Sequence, residues 1–181
     1  MRVNEIFYSI QGEGAWTGTP MVFVRFSGCN RACDFCDTNH MPFTEMTEDE
    51  IAKAVERWPA RHVVITGGEP ALQLTDSLVD LLHERGLKVH VETNGSLPLP
   101  EAVDWVTCSP KTPPYGITRI NELKIVFQGQ DVESIASQLP AAEVECLQPL
   151  SGTNIAETVE YVKSNPRWRL SLQTHKLIEI P

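Results

Sequence analysis

Three of the five cysteines crowd into eight positions, Cys29, Cys33 and Cys36, in the spacing Cys-x3-Cys-x2-Cys. An odd total and this clustering do not suit the disulfide framework of a secreted domain, so the thiols point to a metal or redox site in a reducing compartment. Two chemistries fit the loop. A four-iron cubane offers four metal corners and takes thiolates as its usual protein ligands. Three cysteines then leave one iron open to an exogenous chelate, such as the amino and carboxylate groups of an amino acid. Alternatively, His40 follows Cys36 closely, and Cys29, Cys33, Cys36 and His40 form a complete Cys3His set for zinc. A second candidate is Thr66-Gly67-Gly68-Glu69-Pro70, where two glycines let backbone amides approach a ligand closely. By itself that segment is a tight turn with an acidic residue. Cys108 and Cys146 stand alone in apolar runs and read as inert, buried side chains.

Those residues need elements to hold them. Residues 21–27 read as a strand, as do 62–66, 87–92, 105–108, 122–127, 144–148 and 168–173. Thr47 can cap a helix over 47–58, with Glu50 reaching back, and Ile51, Val55 and Trp58 fall on one face. Residues 75–85 place Leu78, Leu81 and Leu82 on a helix that Gly86 can close. Further helices are expected near 131–138 and 155–164, the latter opened by Asn154. This alternation argues a mainly parallel α/β sheet. The connections 93–104 and 109–121 are too short or too Pro-rich for a full helix, so a closed eightfold barrel is not expected. The expectation is a partial, splayed TIM-like barrel of about six parallel strands with a reduced number of helices. No composition shift, repeat or low-complexity tract divides residues 1–181, which read as one domain.

In such sheets ligands bind beyond the carboxyl ends of the strands. The cysteines follow the 21–27 strand and Gly67-Gly68-Glu69-Pro70 follows the 62–66 strand. Thr93-Asn94-Gly95 and Ser109-Pro110-Lys111 follow the next two. Composition narrows the partners. With 15 basic and 24 acidic side chains the net charge is -9, a poor footprint for gripping a phosphate backbone. No apolar run approaches a membrane span of about 18 residues. The first residues lack the basic and apolar segments of a signal peptide, so the expected location is cytoplasmic.

The cysteine loop together with Gly-Gly-Glu-Pro resembles the radical S-adenosylmethionine (SAM) superfamily. Within it the chain resembles the 7-carboxy-7-deazaguanine synthase family of queuosine and 7-deazapurine biosynthesis. The resemblance rests on the run Asn4 to Gly14, Gly18-Thr19-Pro20, Phe23-Val24-Arg25, Gly28-Cys29-Asn30 and Cys36-Asp37-Thr38. It continues through Val91-Glu92-Thr93-Asn94-Gly95, Ser109-Pro110-Lys111, Leu147-Gln148-Pro149 and Gln173-Thr174-His175-Lys176.

The resemblance implies a radical SAM core and a carbon–nitrogen lyase acting on 6-carboxy-5,6,7,8-tetrahydropterin. It implies a 4Fe-4S cluster on Cys29, Cys33 and Cys36, S-adenosylmethionine, and magnesium held by Thr38. Ile10, Gln11, Gly12, Glu13, Arg25 and Thr66 would contact the pterin, with Arg25 forking onto its carboxylate. Pro181 would reach the pterin through a terminal carboxylate, with His175 nearby. Phe35, Cys36 and Asp37 would flank the adenine, and Gly68 the methionine amino group. Glu92, Thr93 and Asn94 would meet the ribose or methionine end, and Ser109, Pro110 and Lys111 would line the same cofactor. His62, His83 and His90 read as structural or solvated.

The implied chemistry is reductive cleavage of the sulfonium to a 5′-deoxyadenosyl radical and hydrogen abstraction from the pterin. A magnesium-assisted ring contraction then follows, with loss of ammonia to give 7-carboxy-7-deazaguanine. A flavodoxin- or ferredoxin-type reductant and a homodimer are the partners the resemblance implies. The rivals are a glycyl-radical-enzyme activating protein and a non-catalytic zinc-binding module.

Overall fold

The computed structural model describes residues 1–181 apart from Asp37, Thr38 and His40. In chain order the elements are β1 (Arg2–Ile10), β2 (Pro20–Phe26), β3 (Thr44–Glu45), α1 (Glu48–Val55) and β4 (His62–Gly67). Next come α2 (Asp76–Glu84), β5 (Lys88–Thr93), β6 (Trp105–Cys108), β7 (Glu122–Phe127) and α3 (Val132–Ala136). The chain ends with β8 (Val144–Pro149), α4 (Ile155–Ser164), β9 (Arg169–Leu170) and α5 (Thr174–Leu177). All strands join one sheet in the order β3-β1-β2-β4-β5-β6-β7-β8-β9. From β2 to β9 every neighbouring pair is parallel. β3 and β9 remain as edges, so the barrel is partial, as expected. No helix of the described residues is long and apolar enough to cross a membrane.

The helices follow their capping chemistry. Thr47 accepts from the Glu50 amide while the Glu50 carboxylate accepts from the Thr47 amide, a complete capping box on α1. That helix stops at Val55, short of the expected 58. Trp58 precedes Pro59, and a residue before proline is pushed out of the helical region; the indole instead stacks on Tyr8. Thr75 caps α2, and Gly86 ends it at φ +74°. Asn154 stands before α4 but does not cap it. Its side chain accepts from the Leu150 amide and donates to the Phe127 carbonyl, stapling the loop between β8 and α4. No helix forms over 93–104 or 109–121.

Two strands depart from expectation. The strand near 168–173 is only Arg169–Leu170. Residues 2–10, expected only as part of a motif, form a nine-residue strand antiparallel to β2. Its apolar residues are contiguous rather than alternating because both faces are covered. Ile6 and Tyr8 pack against the helix-covered core, while Phe7 stacks on Phe23 at 4.9 Å.

The two faces of the parallel strands differ sharply. Val22, Val24, Phe26, Val63, Ile65, Val89, Val91, Val106, Leu123 and Ile125 join the buried core with α1 and α2 residues such as Ile51, Leu78 and Leu82. The intervening residues, among them Arg25, Thr66, Glu92, Lys124 and Gln148, line a cavity on the opposite, inner face. Successive side chains on a strand point to opposite faces, so one sheet carries a dry core outside and a polar chamber inside.

Candidate active site

The upper rim of the chamber is built by two loops that grip each other through backbone. Gly67 adopts φ +120°, a region that L side chains rarely enter. A side chain on Gly68 would place its first carbon 1.9 Å from the Gly28 carbonyl oxygen. The closeness is used: the Gly68 amide donates to the Phe26 carbonyl at 3.1 Å, and the Glu69 amide to the Gly28 carbonyl at 2.9 Å. The glycines expected to admit a ligand therefore also dock their loop onto the root of the cysteine loop.

Glu69 completes the rim. It is fully buried, and its carboxylate accepts from Ala71 N, Thr93 Oγ1 and Asn94 N at 3.0, 2.7 and 2.7 Å. Asn94 in turn donates to Asn30, next to Cys29. A buried acceptor with three donors is satisfied, and losing it would leave those donors unpaired. Three separate motifs are thus fastened into one collar.

A cavity of about 740 Å³ opens beneath the collar, within the range of ligand sites. Cys29, Cys33 and Cys36 line it, as do Phe35, Gly68, Ser109 and Lys111. Burial pushes the Cys29 thiol up, and the nearby acidic groups Glu69, Cys33 and Cys36 add to that. The Lys111 ammonium donates to Ser109 Oγ at 2.9 Å and lies 5.4 Å from the centre of the Phe35 ring. Burial holds Lys111 below its usual value, with the Cys33 charge acting in the opposite direction.

The floor comes from elsewhere. Because β1 is antiparallel to β2, with Ile10 opposite Pro20, the turn after Ile10 sits at the amino ends of the parallel strands and closes the barrel from below. Trp16 of that turn packs on His62, His90 and Trp105. Gln11 and Glu13 reach upward from it. Gln11 Nε2 donates to Glu92 at 3.0 Å, and Lys124 Nζ contacts Glu13 at 2.5 Å and Glu92 at 3.3 Å. Gln173 Nε2 donates to the other Glu13 oxygen at 2.8 Å. Burial raises the Glu13 carboxyl, but the Lys124 charge and the hydrogen bonds outweigh it and hold the group below the usual carboxylate range. Burial alone would depress Lys124, and the surrounding carboxylates reverse that and raise it.

The segment following β9 closes one side. Thr174 donates to the Gly12 carbonyl through both its amide and its hydroxyl, each at 2.9 Å. His175 packs where a Gly12 side chain would otherwise stand. Ser9 Oγ donates to the Pro181 carbonyl oxygen at 2.7 Å, placing Pro181 on the cavity wall. Arg25, also on the wall, lies against Phe7 and pairs with Glu5 at 2.7 Å.

Most of the expected site residues therefore share one chamber: Ile10, Gln11, Gly12, Glu13, Arg25, Thr66, Glu92, Thr93, Asn94 and Pro181 line it with the cysteine-side group. Pro110 is buried and does not line it, leaving Ser109 and Lys111 as the ends of that turn that face the chamber. Glu92, expected at the cofactor end, hydrogen-bonds Gln11 and Lys124 on the floor instead. Asp37 and Thr38, and the His40 of the zinc reading, lie outside the described residues. The expected inertness of Cys108 and Cys146 fits their environment, since burial pushes both thiols up to about 12.

Lys124 is the residue the motifs did not reveal. A signal for it exists in the strand pattern. His90 and Glu92, Trp105 and Thr107, Glu122 and Lys124 occupy alternate positions in strands of a parallel sheet, where both faces are normally apolar. Polar residues at period two inside such a sheet mark an inner face that is not core.

The residues present fit an iron–sulfur cluster. All three loop thiols face one chamber, the Lys111 ammonium stands beside Cys33, and none of the five cysteines is in a disulfide. Among the described residues no three His, Cys, Asp or Glu side chains gather tightly enough to hold a single ion. Residues 23–124 match the Radical SAM superfamily. A 7-carboxy-7-deazaguanine synthase of Bacteroides thetaiotaomicron is 59% identical over 180 residues, covering 99% of this chain and 98% of that protein. The chain belongs to the 7-carboxy-7-deazaguanine synthase family. A synthase of this family from Burkholderia multivorans is 41% identical over 211 residues, covering 99% and 98% of the two chains. The crystal structure of QueE from Escherichia coli superposes with a TM-score of 0.78 at 30% identity, covering 94% of this chain and 92% of that one. Membership of this family makes the chain a radical SAM enzyme that uses a 4Fe-4S cluster and S-adenosylmethionine, and sets aside the zinc-module and activating-enzyme readings.

Proposed function

We propose that the chain converts 6-carboxy-5,6,7,8-tetrahydropterin to 7-carboxy-7-deazaguanine with loss of ammonia, as a cytoplasmic single-domain enzyme over residues 1–181. The observation that carries this is the division of one chamber into a thiol-lined upper end and a hydrogen-bonding floor. When bound, the cluster and S-adenosylmethionine supply a carbon-centred radical at the upper end. The chain's own residues do the rest: they bind, orient and exclude water.

Cys29, Cys33 and Cys36 would hold the cluster, and Gly68, Thr93 and Asn94 would stand beside the methionine end of the cofactor. Phe35, Ser109 and Lys111 would line the remainder of the cofactor, Pro110 supporting their turn from behind. Below, Gln11, Glu13 and Glu92 offer acceptors in a fixed arrangement suited to the planar donor edge of a pterin. Ile10, Gly12, Thr66 and Pro181 complete its surround. Arg25 stands on the wall for the substrate carboxylate, exchanging its exposed partner Glu5 for a fork onto the ligand. Magnesium held by Thr38 belongs to the same reading, as do a flavodoxin- or ferredoxin-type reductant and a homodimer.

The test is anaerobic reconstitution with iron and sulfide, then incubation with S-adenosylmethionine, magnesium, reductant and the carboxypterin, read by mass spectrometry. The expected result is 7-carboxy-7-deazaguanine, lost together with most of the iron in Cys33→Ala. Cofactor cleavage without that product would overturn the substrate assignment.

A further inference from the structure

The floor contains a charge arrangement that simple packing does not require. Lys124 sits mid-strand on β7, with its side chain only 4% exposed. One carboxylate would neutralise it, yet three surround it: Glu13 from the lower turn, Glu92 from β5 and Glu122 from its own strand. Burial raises Glu122 toward its neutral form, which leaves Glu13 and Glu92 as the lysine's ionic partners. The four oxygens of those two carboxylates each receive one donor, from Lys124, Gln173, Gln11 and Lys124 again. An ionised carboxylate has about four acceptor sites, so each retains capacity directed at the chamber both residues line.

We propose that Lys124 is a positioning residue for the substrate. Its ammonium holds Glu13 and Glu92 together as a pair of acceptors for the N–H groups of a 2-amino-4-oxopyrimidine edge. The inference rests on the pterin reading above. Two carboxylates brought this close without a cation cannot both stay ionised. A protonated carboxyl donates where the substrate needs an acceptor. The lysine therefore sets the polarity of the floor without forming the recognition contact itself. The other charged groups facing Glu13 are His175 from α5 and, more distantly, Lys111 from the turn after β6. Both are present in wild type and variant alike.

The experiment measures binding of 7-carboxy-7-deazaguanine, which carries the same pyrimidine edge, to cluster-reconstituted wild type and Lys124→Met by calorimetry between pH 6 and 8.5. The ratio of the two Kd values cancels titrations common to both proteins. The expected ratio is at least tenfold at pH 6.5 and narrows as pH rises and the carboxyls ionise without help. A ratio near one, or one that stays constant with pH, overturns the proposal, the latter showing a merely structural role. Carbon-13 NMR of glutamate-labelled wild type provides a reading that does not depend on the variant's folding. Glu13, identified through Glu13→Gln, is held below the usual carboxylate range and is expected to stay ionised across pH 6 to 8.5. Protonation of Glu13 within that range overturns the proposal. Failure of wild type to bind the probe at any pH would instead overturn the pterin reading beneath it.

Discussion

The collar and the floor of the chamber solve the same task, holding polar groups where a ligand needs them, by opposite means. The collar is held by neutral backbone: glycines in close approach, amides donating to carbonyls, and one buried carboxylate, Glu69, held by three internal donors. The floor is held by charge. Lys124 draws in Glu13 and Glu92, with Gln11 and Gln173 occupying the oxygens that remain. Backbone contacts fix geometry and tolerate almost no added atom, whereas an ion-pair network fixes protonation state. The two ends should therefore respond differently to substitution: damage to the collar removes the cluster's seat, and damage to the floor spares it.

Gly68→Ala is the strongest way to test that contrast. The added carbon would collide with the Gly28 carbonyl, so the glycine and cysteine loops must separate. Displacement of about 1 Å in a positioned site costs on the order of a hundredfold in rate. We expect that loss together with reduced cluster content, measured by iron analysis and single-turnover cofactor cleavage. Normal iron with normal cleavage would show that the loops do not depend on their backbone contact.

Gln11→Leu probes the floor and should act more weakly. It removes the donor to Glu92 and one polar contact in the chamber, worth about 1.4 kcal/mol if KM for the pterin rises tenfold. Iron content and the uncoupled cleavage of S-adenosylmethionine should stay at wild-type levels. If iron falls as well, the two ends are one structural unit and the comparison fails.

Cys108→Ala should have the smallest effect. Its thiol is buried behind the Thr93-Asn94-Gly95 turn. The expected outcome is unchanged iron, turnover within about twofold, and a loss of stability of about 1 kcal/mol from the small cavity left behind. A variant lacking cluster would mean that this cysteine takes part in the metal chemistry after all.

Much of the collar was legible from residue order because each of its parts is local. Cys29, Cys33 and Cys36 lie in one loop, the glycines are adjacent, and capping signals such as Thr47 with Glu50 declare themselves within four positions. Even there the spacing did not reveal that Gly68 is needed for contact with Gly28. Strand β1 escaped detection because Ile6, Phe7 and Tyr8 form an unbroken apolar run that suits neither helical nor alternating periodicity.

What the sequence by itself determined is the alternation of strands and helices, the thiol set, and through their combination the family and its chemistry. These depend on residues near one another in the chain, where spacing translates directly into geometry. The polar chamber floor was decided only by the tertiary structure. Lys124 meets Glu13 across 111 positions and Glu92 across 32, and Gln173 meets Glu13 across 160. Such contacts arise from sheet order and from the antiparallel return of β1, which brings a loop up from the barrel's lower end. Charges so far apart in sequence acquire a shared protonation state only once the fold removes them from water and sets them within hydrogen-bonding distance.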